Sequence, residues 1–104
     1  MGSSRRPRPA RLATKLREIR ARLGLTQAEM FERLGDTGTP LRVGHVGEFE
    51  TDSRVPTLQV ALAYARAAGV SMEVIVDDKL DLPEHIPPVP EADGIMKRER
   101  RARR

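Results

Sequence analysis

The run Leu23-Gly24-Leu25-Thr26-Gln27-Ala28-Glu29-Met30 restricts this chain more than any other stretch. Thr26 followed three residues later by Glu29 is a capping box, in which each side chain satisfies a backbone N–H that a helix start leaves without a partner. A helix therefore begins at Thr26. Gly24 suits the position just past the end of a preceding helix, because a residue without Cβ adopts the left-handed conformation cheaply. The upstream helix has its own apolar face: Leu12, Leu16, Ile19 and Leu23 recur at i, i+4, i+7 and i+11 from about Ala10. Its other face carries Lys15, Arg17 and Arg22. Two helices thus meet across a turn of about three residues.

That spacing belongs to a helix-turn-helix corner, and the order of residues beyond it extends the pattern. Leu34-Gly35 follows, then Val46-Gly47-Glu48-Phe49-Glu50, then Arg54-Val55-Pro56. From Leu12 to Asp78 the chain resembles the Cro/C1-type (xenobiotic-response-element, XRE) helix-turn-helix family of bacterial and phage regulators. Members of that family read Arg, a few residues, Leu-Gly-Leu-Thr-Gln-x-x-apolar, then Leu-Gly, an Ile/Val-x-x-aromatic-Glu segment, and Arg-x-Pro before a fourth helix. The resemblance implies an all-α, five-helix, lambda-repressor-like helix-turn-helix bundle with flexible basic ends.

Within that frame the second helix runs from Thr26 to about Leu34, burying Ala28, Met30 or Phe31, and Leu34, and Gly35 ends it. The third spans about Leu41 to Glu50 with Val46 and Phe49 turned inward. The fourth starts at Pro56-Thr57, with Leu58, Ala61, Leu62, Ala65 and Ala68 as its buried stripe, Tyr64 at the core or its rim, and Gly69 as its end. Ser71 caps a short fifth helix through Met72, Val74, Ile75 and Val76. One departure stands out. Family members place about ten residues between the Gly and the Glu, whereas Glu50 lies fifteen after Gly35. The extra residues fall in Asp36-Thr37-Gly38-Thr39-Pro40, a loop composition, although Thr39 and Pro40 also offer an N-cap and first helical residue one turn early.

The resemblance also assigns roles. Thr26 and Gln27 match positions that bind phosphate, helped by the positive end of the helix dipole, and Thr51, Ser53 and Arg54 match a second backbone contact after the third helix. Val43, Gly44 and Gly47 are the base-facing positions, with Arg42 and His45 beside them. Two of these are Gly, so either the backbone approaches DNA closely there or Arg42, His45 and the N-terminal arm do more of the reading. Glu48 accepts from a cytosine amino group or faces solvent, and solvent is the expected environment. Arg20 lies near the apolar stripe, and the resemblance pairs it with Glu50 as a structural ion pair. Asp52 replaces a customary Gly in a left-handed turn, which Asp tolerates.

The net charge is +4, and its distribution says more than its sum. Residues 1–22 hold eight Lys/Arg against Glu18 alone, and residues 97–104 hold six against Glu99 alone. The stretch between them has five basic and thirteen acidic residues. Basic ends on an acidic body fit arms that wrap a polyanion. The expected organisation is a disordered basic arm (1–9), the helix-turn-helix domain (10–78), an acidic, Pro-rich extended segment (79–95) and a basic tail (96–104). Arg5, Arg6, Arg8 and Arg11 make the arm a candidate for the minor groove. The tail is open to three readings: solvated end, nucleic-acid arm, or start of something longer. Asp77, Asp78, Asp81 and Glu84 alternate with Leu80, Leu82 and Ile86 but lack the spacing of a calcium loop. They read as an extended segment lying along the body or along a second subunit.

With no Cys, disulfides and thiolate metal sites are excluded. No apolar run fits a signal peptide or a membrane span, so a cytoplasmic location is expected. The two His, His45 and His85, sit near no triad arrangement, and no Gly loop cradles phosphate. An enzyme, a cofactor and a metal are therefore not expected. The expectation is a sequence-specific transcriptional regulator that binds double-stranded operator DNA as a homodimer, with the third helix in the major groove. The alternative is an antitoxin-like or adaptor protein whose residues 77–90 bind a protein partner. RNA binding is the weakest reading, because 3% aromatic content leaves no platform for stacking bases.

Overall fold

The computed structural model describes residues 9–38 and 40–88, and those residues form five α-helices and no strand. They are α1 (Leu12–Leu23), α2 (Gln27–Leu34), α3 (Val43–Glu50), α4 (Leu58–Ala68) and α5 (Met72–Val76). Local chemistry sets most of the boundaries. Thr26 Oγ1 accepts from the Glu29 N–H at 3.1 Å while Glu29 Oε1 accepts from the Thr26 N–H at 2.8 Å, closing the capping box at the start of α2. Thr57 and Ser71 cap α4 and α5 by accepting from the N–H groups of Val60 and Val74. Gly24 ends α1 at φ 77° and Gly69 ends α4 at φ 70°, both in the left-handed region that Gly enters without a Cβ penalty.

The α2–α3 connection is the unusual part. Eight residues, 35–42, take the place of a turn of three or four. Asp36 holds the loop locally by accepting from the Gly38 N–H at 2.9 Å, and Thr37 is buried. The third helix begins at Val43, later than the expected Leu41 and not at the earlier alternative. Its start is set from inside: the His45 side chain turns back, and Nδ1 accepts from the Arg42 N–H at 3.1 Å. Thr39, the alternative cap, lies outside the described residues.

The core joins Leu16, Ile19, Met30, Val46, Phe49, Val60, Tyr64 and Ile75 from all five helices. Two expected faces are corrected. In α2, Ala28 is exposed, and burial is carried by Met30 and Leu34 with Phe31 packed partly against them. In α4, Leu58 is 74% exposed because it is the first residue after the cap and points outward, while Val60 and Tyr64 join Ala61, Ala65 and Ala68 in the buried stripe.

The segment after α5 folds back along α1 of its own chain, and the packed unit reaches Ile86, which is buried in the common core. Lys15, expected on the solvated face, is 3% exposed. Its ammonium donates to the carbonyls of Val74 (2.7 Å), Asp77 (2.9 Å) and Leu80 (2.7 Å), at the end of α5 and just beyond. Arg11 offers no side-chain cap to α1, and the cap comes from 67 residues away. Asp78 accepts from the backbone N–H groups of Ala10 (2.8 Å) and Arg11 (3.0 Å). Arg22 reaches the Pro83 carbonyl on the same strap.

Candidate nucleic-acid interface

The third helix rests on α1 and α2, and its buried residues Val46, Phe49 and Glu50 define which side is outward. At about 100° per residue, the opposite side centres on Gly44, Glu48 and Thr51, flanked by Gly47. Val43 is 45% exposed at the first turn, and Arg42 is exposed just before it. His45 is half-buried, with its ring tilted against Phe49 at 6.4 Å and Nδ1 committed to the Arg42 N–H. In the neutral ring the proton is therefore on Nε2, leaving His45 a donor toward any further partner.

The two expected glycines differ. A Cβ on Gly44 would meet nothing within 4 Å, so this patch of α3 is open backbone. A Cβ on Gly47 would lie 3.3 Å from Gln27 Oε1, because the Gln27 carboxamide lies across it. The same carboxamide donates to Glu50 Oε1 at 3.4 Å. Gln27, at the start of α2, thus supplies the surface above Gly47.

Beyond α3, the chain turns through Thr51 and Asp52. Thr51 ends the helix, its hydroxyl donating to the Gly47 carbonyl at 3.0 Å and meeting Ser53 Oγ at 3.0 Å. Asp52 takes φ 65°, the left-handed conformation foreseen for that position. Arg54 Nε donates to Glu48 Oε1 at 2.7 Å, an exposed pair that folds the turn back onto the outward side of α3. The Arg54 guanidinium is the main cause holding the Glu48 carboxyl below its ordinary range, with Coulomb attraction to Arg54 and His45 added.

Beneath this surface the expected ion pair is present. Arg20 Nε donates to Glu50 Oε2 at 2.6 Å and Nη2 to Oε1 at 2.9 Å, a two-pronged contact, while Nη1 donates to the Leu25 carbonyl at 3.0 Å. The pair ties α1 to the end of α3, and Leu25 carries it to the corner before α2. Hydrogen bonding to Glu50 raises the Arg20 pKa.

Arg11, expected in the arm, is held on the strap: Nη1 donates to the Asp78 and Leu80 carbonyls, and Nη2 donates to Asp81 Oδ1 at 2.6 Å. Arg5, Arg6 and Arg8, and the tail 96–104, lie outside the described residues. Among the described residues no cluster of three or more His, Asp or Glu could hold a metal ion, and no helix is long and apolar enough to cross a membrane.

Three features of this surface carry no plain signal in the sequence: the His45 cap, the Gln27 cover on Gly47 and the Glu48–Arg54 pair. The i, i+3 spacing of Arg42 and His45 is a weak clue to the first. The other two cross between elements.

The residues that build this surface lie within a match to a helix-turn-helix family model over residues 16–75, more than half of the chain. No curated protein and no solved structure matches the chain. The five-helix fold, the capped second helix and the family match agree, and the chain belongs to the Cro/C1-type (XRE) helix-turn-helix family, whose domain is a DNA-binding regulatory one.

Proposed function

We propose that the protein is a sequence-specific transcriptional regulator that binds operator DNA as a homodimer, with α3 in the major groove. The observation that carries this reading is the bracketing of α3's outward side. Thr26 and Gln27 stand at the N-terminus of α2 on one flank, and Thr51, Ser53 and Arg54 stand on the other. Groups that meet phosphate on both sides of a helix fix its register, and the residues between them then face base edges. Val43, Gly44 and Gly47, with Arg42 and His45, occupy that interval.

The arm residues Arg5, Arg6 and Arg8 add contacts from the far end of α1. The helix has 12 residues, so its start lies about 18 Å from the corner with α2. Nine residues of chain can span up to about 30 Å, which exceeds that distance. Self-association has an apolar surface to use: Val55 and Leu58 are both exposed beside the α3–α4 turn. An adaptor role through residues 77–90 is less well supported, since Asp78 and Asp81 bind Ala10 and Arg11 of the same chain, just before α1, and Ile86 is buried in its own core.

The test is selection of duplexes from a random pool by the full-length protein. An enriched palindrome with half-sites about 34 Å apart is the expected result. Gln27→Ala should weaken binding about equally on all duplexes, whereas Arg42→Ala should change the selected sequence. Binding without enrichment that vanishes in moderate salt would overturn the regulator reading.

A further inference from the structure

We propose that Glu48 reads one base of each half-site, accepting a hydrogen bond from the amino group of a cytosine, and that Arg54 is the positioning residue that holds it there. This rests on the regulator reading above. Val46, Phe49 and Glu50 are buried, so Glu48 stands about 200° from Val46, near the middle of the outward side. Its neighbours on that side are short: Gly44 presents bare backbone and Thr51 turns its hydroxyl onto the Gly47 carbonyl. Glu48 is therefore the longest side chain at the centre of the surface that meets DNA.

A lone carboxylate at that place would be repelled by the phosphates. Arg54 changes this, because its Nε bonds Oε1 at 2.7 Å and brings a compensating charge. The contact uses one carboxylate oxygen and one guanidinium nitrogen. Oε2 of Glu48 is left to accept from a base, and Nη1 and Nη2 of Arg54 are left to donate to a phosphate.

An ionised carboxylate only accepts, so it needs a donor in the groove. The major groove offers two, the cytosine N4 and adenine N6 amino groups, and adenine sets its N7 acceptor beside the amino group. A second acceptor repels the carboxylate, which leaves cytosine.

The experiment compares duplexes selected from a random pool by the wild-type protein and by Glu48→Ala, Glu48→Gln, Arg54→Ala and Arg54→Lys. Wild type should enrich cytosine at one position per half-site. Glu48→Ala should lose a preference of about 5- to 150-fold at that position alone. Glu48→Gln should move the preference to adenine, whose N6 and N7 match a carboxamide. Arg54→Ala should lower affinity and also blunt the cytosine preference, and Arg54→Lys should restore the preference. Stronger binding of Glu48→Ala to every duplex, with an unchanged consensus, would overturn the proposal and make Glu48 a repulsive charge that Arg54 neutralises. An unaltered cytosine preference in Arg54→Ala would overturn the role given to Arg54. If wild type enriches nothing while still folded, the regulator reading fails first and Glu48 with it.

Discussion

At the scale of single residues, the Arg20–Glu50 pair is the most consequential contact in the molecule. Its two partners are not equally buried: the Glu50 side chain is 2% exposed and that of Arg20 is 21%. Removing the cation leaves a buried carboxylate whose remaining partner is the Gln27 carboxamide at 3.4 Å, while removing the anion leaves a guanidinium that keeps the Leu25 carbonyl and part of its hydration. Arg20→Met should therefore cost about 3–5 kcal/mol, as for breaking a buried pair, and Glu50→Leu distinctly less. The double variant should be more stable than Arg20→Met alone, since no uncompensated charge remains. Urea unfolding midpoints of the four proteins test this, and a double variant no better than Arg20→Met would show that packing, not charge compensation, dominates there. Tyr64 lies nearby in the same core; burial pushes its hydroxyl pKa up, and Oη has no hydrogen-bond partner among the described residues.

At the scale of elements, α3 trades helix stability for an open surface. Gly44 sits in the first turn with no obstacle to a Cβ within 4 Å and no left-handed backbone. Gly44→Ala should raise stability by about 0.5–1 kcal/mol. If the bare backbone approaches DNA closely, the same change should weaken binding to the selected duplex severalfold. A thermal melt paired with a binding titration checks both signs, and a stabilised variant with full affinity would remove close approach as the reason for Gly44. This helix also marks where reading the sequence succeeds and stops. The starts of α2, α4 and α5 were legible because Thr26, Thr57 and Ser71 each bond an N–H three residues away. The ends at Gly24 and Gly69 follow equally local rules. The start of α3 was missed because His45, not an ordinary cap residue, reaches back to the Arg42 N–H. The inward turn of Lys15 was missed for a different reason: its three carbonyl partners lie 59 to 65 residues further on, beyond any local pattern. Arg20–Glu50 spans 30 residues and was foreseen only through the family resemblance.

At the scale of the whole molecule, the acidic strap after α5 closes the bundle by joining the segment that ends in buried Ile86 to the start of the first helix. Desolvation on burial lowers the Lys15 pKa, and neighbouring Arg11 adds to that, while Asp78, Asp77 and Asp81 oppose it. Asp78 is the hinge of this closure, because its carboxylate substitutes for the missing cap of α1. Those backbone N–H groups, Arg11 first and Ala10 next, hold its pKa below the ordinary value. A carboxyl depressed in the folded state stabilises the fold above its unfolded value, about 3.9, and loses that contribution as pH falls through the lower, folded value. Comparing wild type with Asp78→Asn isolates this group, since the other titrations are common to both proteins. Melting temperatures measured from pH 7 down to pH 2 should show wild type higher at neutral pH. The gap should hold until about pH 4 and then shrink as Asp78 takes up its proton. A gap unchanged at the acid end would mean that Asp78 caps α1 by shape and hydrogen bonding alone, with its charge contributing nothing.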